Sequence, residues 1–362
     1  MQIGTAGDSA STQPSPVPTA QKNAPVGALE SIGLKTTEPL VHRADEVADS
    51  LLDSIQADDM KMVRLLILGG ANVNAMVENW TALHYAAQHS NDGECVRLLL
   101  DHGADISATT ATGGCTSLHL AVQLRNIYTA ETLLEYGADP DAVDDRGWRP
   151  LHYAAICAGK EAFIRLLHRH GADVNSKTQN SQRSALHNAA SYHDNTEVVR
   201  LLLELGATVA CRDQRGRVPL HEACHRANWD IVLSLLNHGA SLDDRSRQLW
   251  TPLHFAVKFA DNHETIRLLL RNGADLSAQN NYGHTPLHLA ALRNCIRLVC
   301  LLLEFDPDIN SVDIHGKTPL HCATSCEVYR TLARSGADEE MVTAEGLTAR
   351  QVLKRGGILL EE

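Results

Sequence analysis

The chain has 362 residues, 44% of them hydrophobic and only 4% aromatic, and its 32 Lys+Arg against 44 Asp+Glu leave a net charge of −12. That balance excludes broad binding to a phosphate backbone, which needs a basic field, and nine cysteines scattered without a Cys-x-x-Cys pair argue against a secreted disulfide scaffold. No basic segment followed by an apolar run opens the chain, and no stretch approaches the roughly 18 apolar residues of a membrane helix, so a soluble protein of the cytoplasm, the nucleus or both is expected.

Residues 1–44 are rich in Ser, Thr, Ala and Pro, with Pro14, Pro16, Pro18, Pro25 and Pro39 and few large apolar side chains. Such a segment buries too little surface to offset its ordering entropy, which predicts a disordered tail. Residues 45–75 and 344–362 are read as terminal caps, because each lacks the unit that recurs throughout residues 76–343.

That unit is Leu-His-x-Ala. Its histidines are His84, His119, His152, His187, His221, His254, His288 and His321, spaced by 35, 33, 35, 34, 33, 34 and 33 residues. Leu and Ala three apart share one face of a short helix, and the small Ala lets a neighbour approach. A second helix is marked by apolar residues at i, i+3 and i+4, as in Val199-Leu202-Leu203 and Ile266-Leu269-Leu270. A Gly-Ala pair closes it at Gly70, Gly103, Gly137, Gly171, Gly206, Gly239, Gly273 and Gly336, where glycine suits a left-handed cap.

Thr251-Pro252-Leu253-His254, Thr285-Pro286-Leu287-His288 and Thr318-Pro319-Leu320-His321 resemble the signature of ankyrin repeats, and the period of about 33 residues agrees. The resemblance implies an all-α repeat solenoid of about nine stacked helix-turn-helix repeats with projecting β-turn fingers. It also implies that the eight histidines are structural, each locking its turn to neighbouring backbone. Three departures stand out. Extra residues occur at Ser90-Asn91-Asp92-Gly93 and at His193-Asp194-Asn195-Thr196, Asp306-Pro307 replaces Gly-Ala, and the last Leu-His repeat is shortened near Cys326, which predicts a tight turn there.

Candidate chemistry is sparse. His221-Glu222-Ala223-Cys224-His225 spells the H-E-x-x-H zinc motif, but His221 also occupies the repeat's structural position, and a zinc hydrolase is the lowest-ranked reading. Gly316-Lys317-Thr318 resembles the end of a phosphate-binding loop without its leading glycine. No cofactor, no metal and no catalytic residue are expected.

The residue before each cap-Pro-Leu-His unit is more informative. In the family this column is variable and faces the concave surface. Here it reads Trp80, Cys115, Trp148, Arg183, Arg217, Trp250, His284 and Lys317, so three of the four tryptophans share one column. Trp and Arg are the residues most enriched at binding hot spots. Tyr192, Arg226, Lys258, Phe259 and Arg293 extend the surface, whereas Trp229 lies outside the column and is expected to pack between repeats. Residues 181–362 carry 19 basic and 22 acidic side chains against 13 and 22 in residues 1–180, so the C-terminal half of this face reads as basic and aromatic. Asn74, Asn175 and Asn310 occupy the turn position that an asparaginyl hydroxylase modifies in ankyrin proteins, each with Leu eight residues earlier.

The expected function is therefore a non-catalytic, monomeric scaffold or adaptor. Its concave face would bind another protein, through an acidic or amphipathic segment, with no direct contact to nucleic acid or membrane. A transcription co-regulator acting through a protein partner in the nucleus is the alternative, and a ubiquitin-ligase substrate adaptor ranks below it.

Overall fold

A computed structural model describes residues 40–357 except 91–92, 157–158, 193–194 and 260–262. Residues 1–39, most of the expected tail, lie outside that range, as do parts of both predicted insertions.

Eighteen helices form among the described residues. The first pairs are α1 (Leu40–Gln56) with α2 (Met60–Leu68), α3 (Ala82–His89) with α4 (Glu94–Asp101), and α5 (Ser117–Gln123) with α6 (Ile127–Glu135). Then come α7 (Pro150–Ala154) with α8 (Glu161–Arg169), α9 (Ala185–Ala190) with α10 (Thr196–Glu204), and α11 (Pro219–His225) with α12 (Trp229–Asn237). The last are α13 (Pro252–Phe259) with α14 (His263–Arg271), α15 (Pro286–Leu292) with α16 (Ile296–Leu303), α17 (Cys326–Arg334) and α18 (Ala349–Arg355). First helices contact first helices and second helices contact second helices in the neighbouring repeats, so the chain is a two-layered all-α solenoid.

Local chemistry sets the helix starts. Pro at the first or second helical position fits where the N–H has no intrahelical partner. Thr or Ser precedes most first helices and caps them, as Thr285 does by accepting the His288 backbone N–H at 3.5 Å. Second helices α6 and α12 are capped by Asn126 and Asn228, whose Oδ1 atoms accept from Thr129 and Ile231 at 3.1 Å. At the far end Gly171 takes φ +94°, and Ala172 N–H returns to Leu167 O at 3.0 Å.

Burial follows the repeat. Leu83, Leu118, Leu151, Leu186, Leu220, Leu253, Leu287 and Leu320 are at most 1% exposed, and the alanines from Ala86 to Ala290 that follow the histidines are fully buried. Each leucine contributes about 2 kcal/mol on burial. The small alanine is what lets adjacent first helices meet.

Four features differ from expectation. Helix α1 begins at Leu40 and so runs through residues 40–44, which the sequence assigns to the tail. The last Leu-His repeat lacks its first α-helix. Pro319–Cys322 is a turn, closed by Cys322 N–H to Thr318 O at 3.2 Å and Ala323 N–H to Leu320 O at 3.2 Å. The deletion thus removes about one helical turn rather than tightening the connection alone. A longer connection follows α7 as well as α3 and α9, as the spacing of 35 residues between His152 and His187 reflects. Finally, among the described residues the fingers form no strands: they close through isolated bridges such as Thr109 with Thr116 and Lys177 with Ser184, and neighbouring fingers are joined by single backbone bonds such as Asp145 N–H to Gly113 O at 3.1 Å. Asp306, by contrast, adopts the left-handed conformation expected of it, at φ +55°.

Candidate functional site

The column residues are held in place by the histidines. From His84 to His288 each histidine is the third residue of its first helix, and His321 holds the same place in the Pro319–Cys322 turn; in all eight repeats the ring turns back so that Nδ1 accepts the cap residue's N–H, at 3.1–3.2 Å. Its Nε2 meets the carbonyl of the column residue one repeat later. The pairs include His84 with Cys115 (3.1 Å), His119 with Trp148 (3.2 Å), His187 with Arg217 (2.9 Å) and His288 with Lys317 (2.9 Å). His152 pairs with Arg183 and His254 with His284, and His321 closes the series on Leu347. A carbonyl only accepts, so Nε2 carries the hydrogen and the ring is neutral. Burial agrees: it pushes His152, His187, His254 and His288 down to about 4.

This geometry removes the zinc reading of His221-Glu222-x-x-His225. His221 uses Nδ1 on Val218 N–H at 3.1 Å and Nε2 on Trp250 O at 2.9 Å, leaving no lone pair for a metal. Glu222 is committed to Arg183 at 3.1 Å and Arg217 at 2.8 Å. His225 packs edge-on against Phe259, with ring centroids 4.7 Å apart. Among the described residues no group of three or more His, Cys, Asp or Glu gathers as metal ligands.

The column side chains are all half-buried, and five of the eight are matched to the residue five positions later on the first helix. Trp80 packs on Tyr85 at 5.5 Å, Trp148 on Tyr153 at 5.0 Å and Trp250 on Phe255 at 5.7 Å between ring centroids. Arg183 Nε donates to Asn188 Oδ1 at 3.0 Å, and Arg217 reaches Glu222. The column and this second register together line the face that carries the fingers. Tyr85, Tyr153, Asn188, Glu222 and Phe255 were invisible in a one-column reading; the signal that finds them is the covariation of column residue and i+5 partner across the repeats.

The arginines of the column are neutralised within the chain. Arg183 also donates to His187 O at 2.9 Å and Ser191 Oγ at 2.5 Å, and Arg217 grips Asp213 Oδ2 through Nε and Nη2 at 2.9 and 2.8 Å. Burial alone would raise the Asp213 carboxyl, but the backbone and guanidinium of Arg217 outweigh it and hold the group below its usual range. His284 stacks on His288 and faces Asp313 at 3.4 Å. Lys317 is half-buried, and Arg293 is tied to Val257 O at 2.7 Å.

Tyr192, Arg226, Lys258 and Phe259 are exposed. Phe259 completes an aromatic group with Trp250 and Phe255, stacking on Trp250 at 6.2 Å with 27° between the ring planes. The group forms one wall of a groove of about 610 Å³ that also takes in Gln214, Arg215, Arg247 and Gln248. Trp229 is 40% exposed on the first turn of α12 and shares a groove with Leu268 and Arg271 of α14 in the next repeat, so it stands at a repeat boundary with much of its surface open. Asn74 and Asn175 bridge neighbouring turns, each accepting a backbone N–H through Oδ1 and donating Nδ2–H to the carbonyl of Gly103 or Gly206. Asn310 accepts from Asp338 N–H at 2.9 Å.

Among the described residues no helix is long and apolar enough to cross a membrane. A family model of ankyrin repeats in three copies matches residues 51–144, 118–213, 186–280 and 253–342. Relatives include human transient receptor potential cation channel subfamily A member 1, 30% identical over 69% of this chain and 23% of its own. The E3 ubiquitin-protein ligase KEG of Arabidopsis thaliana is 27% identical over 59% of this chain and 15% of its own. Human ankyrin repeat and SOCS box protein 16 is 32% identical over 64% of this chain and 51% of its own. The chain therefore spans about half or less of the length of these relatives. It belongs to the ankyrin-repeat family, whose repeats are generally protein-interaction modules.

Proposed function

We propose that this chain is a non-catalytic scaffold or adaptor that binds a partner protein along the finger-and-first-helix face, the concave face in ankyrin repeats. One observation carries the reading: Trp80, Trp148 and Trp250 stand in register on that face, each half-buried on an aromatic support yet not enclosed. Half-buried tryptophans on rigid supports are what interface anchors require, because little side-chain entropy remains to be lost on binding.

Arg183 and Arg217 serve this face by fixing its shape, since their charges are already met by Glu222 and Asp213. The chain acts through protein contact and not through nucleic acid or membrane, as a monomer of the cytoplasm or nucleus. Asn74, Asn175 and Asn310 are candidate hydroxylation sites in the turns. Residues 1–44 serve as a tail, entering α1 at Leu40, and residues 45–75 and 344–362 cap the stack. A second reading, substrate adaptor of a ubiquitin ligase, has in its favour that one relative carries E3 ubiquitin-protein ligase in its name. No observation favours the transcriptional alternative.

The test is a Trp148→Ala/Trp250→Ala variant assayed for partner capture beside its circular dichroism. Retained helicity with lost capture supports the interface. Retained helicity with full capture contradicts it.

A further inference from the structure

We infer that the groove between the fingers of the α11 and α13 repeats is a pocket for a large apolar side chain borne on an acidic peptide segment of a partner protein. The inference rests on the concave-face reading and deepens it, by placing the anchor at one finger and giving its occupant a chemistry.

The first support is the groove's composition. Trp250, Phe255 and Phe259 supply an aromatic wall, and Phe259 remains 49% exposed. Facing it are Arg215 and Arg247, both exposed, whose guanidinium groups take part in no ion pair among the described residues. The nearby carboxylates are already used: Asp213 and Glu222 by Arg217, and Asp244 by Arg212. The groove is thus aromatic on one wall and polar to positive elsewhere, with Gln214, Ser246, Gln248, Arg215 and Arg247 completing it, on a chain of net charge −12. An occupant with carboxylates around an apolar side chain satisfies both parts, and a basic one satisfies neither.

The second support is strain at the same finger. Leu249 sits between the lining residues Gln248 and Trp250 with φ +60°. At the corresponding place the other fingers have Gly114, Gly147, Gly216, Gly283 and Gly316 or the polar Asn79 and Gln182, all with positive φ. Leu249 is the one large apolar side chain with positive φ among the described residues, and it is 44% exposed. A branched side chain in the left-handed region is disfavoured by its own backbone, and its exposure offers no compensating burial. Strain of this kind is retained where a surface is used. The indole Nε1–H of Trp250 adds to it, being buried without an acceptor among the described residues.

The probe is a fluorescein-labelled synthetic peptide with a Phe-Leu pair flanked on each side by three glutamates, titrated with the full chain and followed by anisotropy. A matched peptide with lysines in place of glutamates, and a single-stranded DNA oligonucleotide, serve as competitors for the assignment. Saturable binding of the acidic peptide alone is expected. The Arg215→Glu/Arg247→Glu variant should weaken it at least about tenfold. Leu249→Gly should also weaken it about tenfold while raising the midpoint of thermal unfolding, a combination that a purely structural role of Leu249 does not produce.

No binding of the acidic peptide, equal binding of the lysine peptide, tighter binding of the DNA, or unchanged affinity in either variant overturns the assignment. If affinity is unchanged in these variants while the Trp148→Ala/Trp250→Ala variant loses its natural partner, the concave-face reading stands and only the groove's role falls.

Discussion

The Nε2–H of His221 meets the carbonyl oxygen of Trp250 at 2.9 Å, across a repeat boundary. The bond couples the residue that starts one helix to the backbone that presents an anchor side chain in the next. The same pairing recurs from His84 to His321, so a rigid stack and a rigid binding face have one cause.

The neutral histidines make stability depend on acid. All eight have pKa values lowered by burial in the folded chain, four of them to about 4. The unfolded chain therefore binds more protons below about pH 6.5, so stability is complete above that pH and is lost as pH falls toward 4. Each of those four contributes at most about 3 kcal/mol across the window. Thermal unfolding followed by circular dichroism should show the midpoint falling by roughly 10 °C or more from pH 7 to pH 5. A midpoint flat over that range contradicts the neutral assignment.

His221→Ala should remove two bonds, leave the Val218 N–H unmet and the Trp250 carbonyl with the Ser246 N–H alone, and open a small cavity. The expected loss is about 3 kcal/mol in urea unfolding. Zinc added to the native chain should change neither the midpoint nor the metal content, which mass spectrometry can read at under about a tenth of an equivalent. A stoichiometric zinc ion would reinstate the metal reading.

The i, i+5 pairs predict coupling. A double-mutant cycle of Trp148→Ala and Tyr153→Ala should return about 1 kcal/mol of interaction. Glu222→Ala should cost about 2–4 kcal/mol, because it leaves Arg183, only 19% exposed, without its carboxylate and takes from Arg217 one of its two. Additive single substitutions in the first pair, or a neutral Glu222→Ala, would show that these contacts do not hold the face.

Much of the architecture was legible because the Leu-His-x-Ala unit imposes period, helix start and core at once. Each of its residues makes a contact within its own repeat or the next. What was not legible depends on pairings that periodicity does not mark. Arg183 looked like a free charge until Glu222, 39 residues on, proved to hold it. Leu249 drew no notice in the sequence, because nothing in its own identity announces a left-handed backbone. Helix α1 begins at Leu40 without a Leu-His unit to announce it.

Gly147 tests the finger geometry. It has φ +75°, and a Cβ there would stand 2.7 Å from the Gln179 backbone nitrogen in the next finger. Gly147→Ala should therefore destabilise by about 1–3 kcal/mol, through both strain and collision. A thermal midpoint equal to that of the parent chain would mean that adjacent fingers are not in contact.

The most direct measurement is affinity purification with mass spectrometry, comparing the parent chain with a Trp80/Trp148/Trp250→Ala variant of verified helicity. At least one partner should be captured by the parent and lost by the variant. An unchanged partner set on a folded variant would contradict it, and would move binding to the finger tips, the second-helix face around Trp229 or residues 1–44.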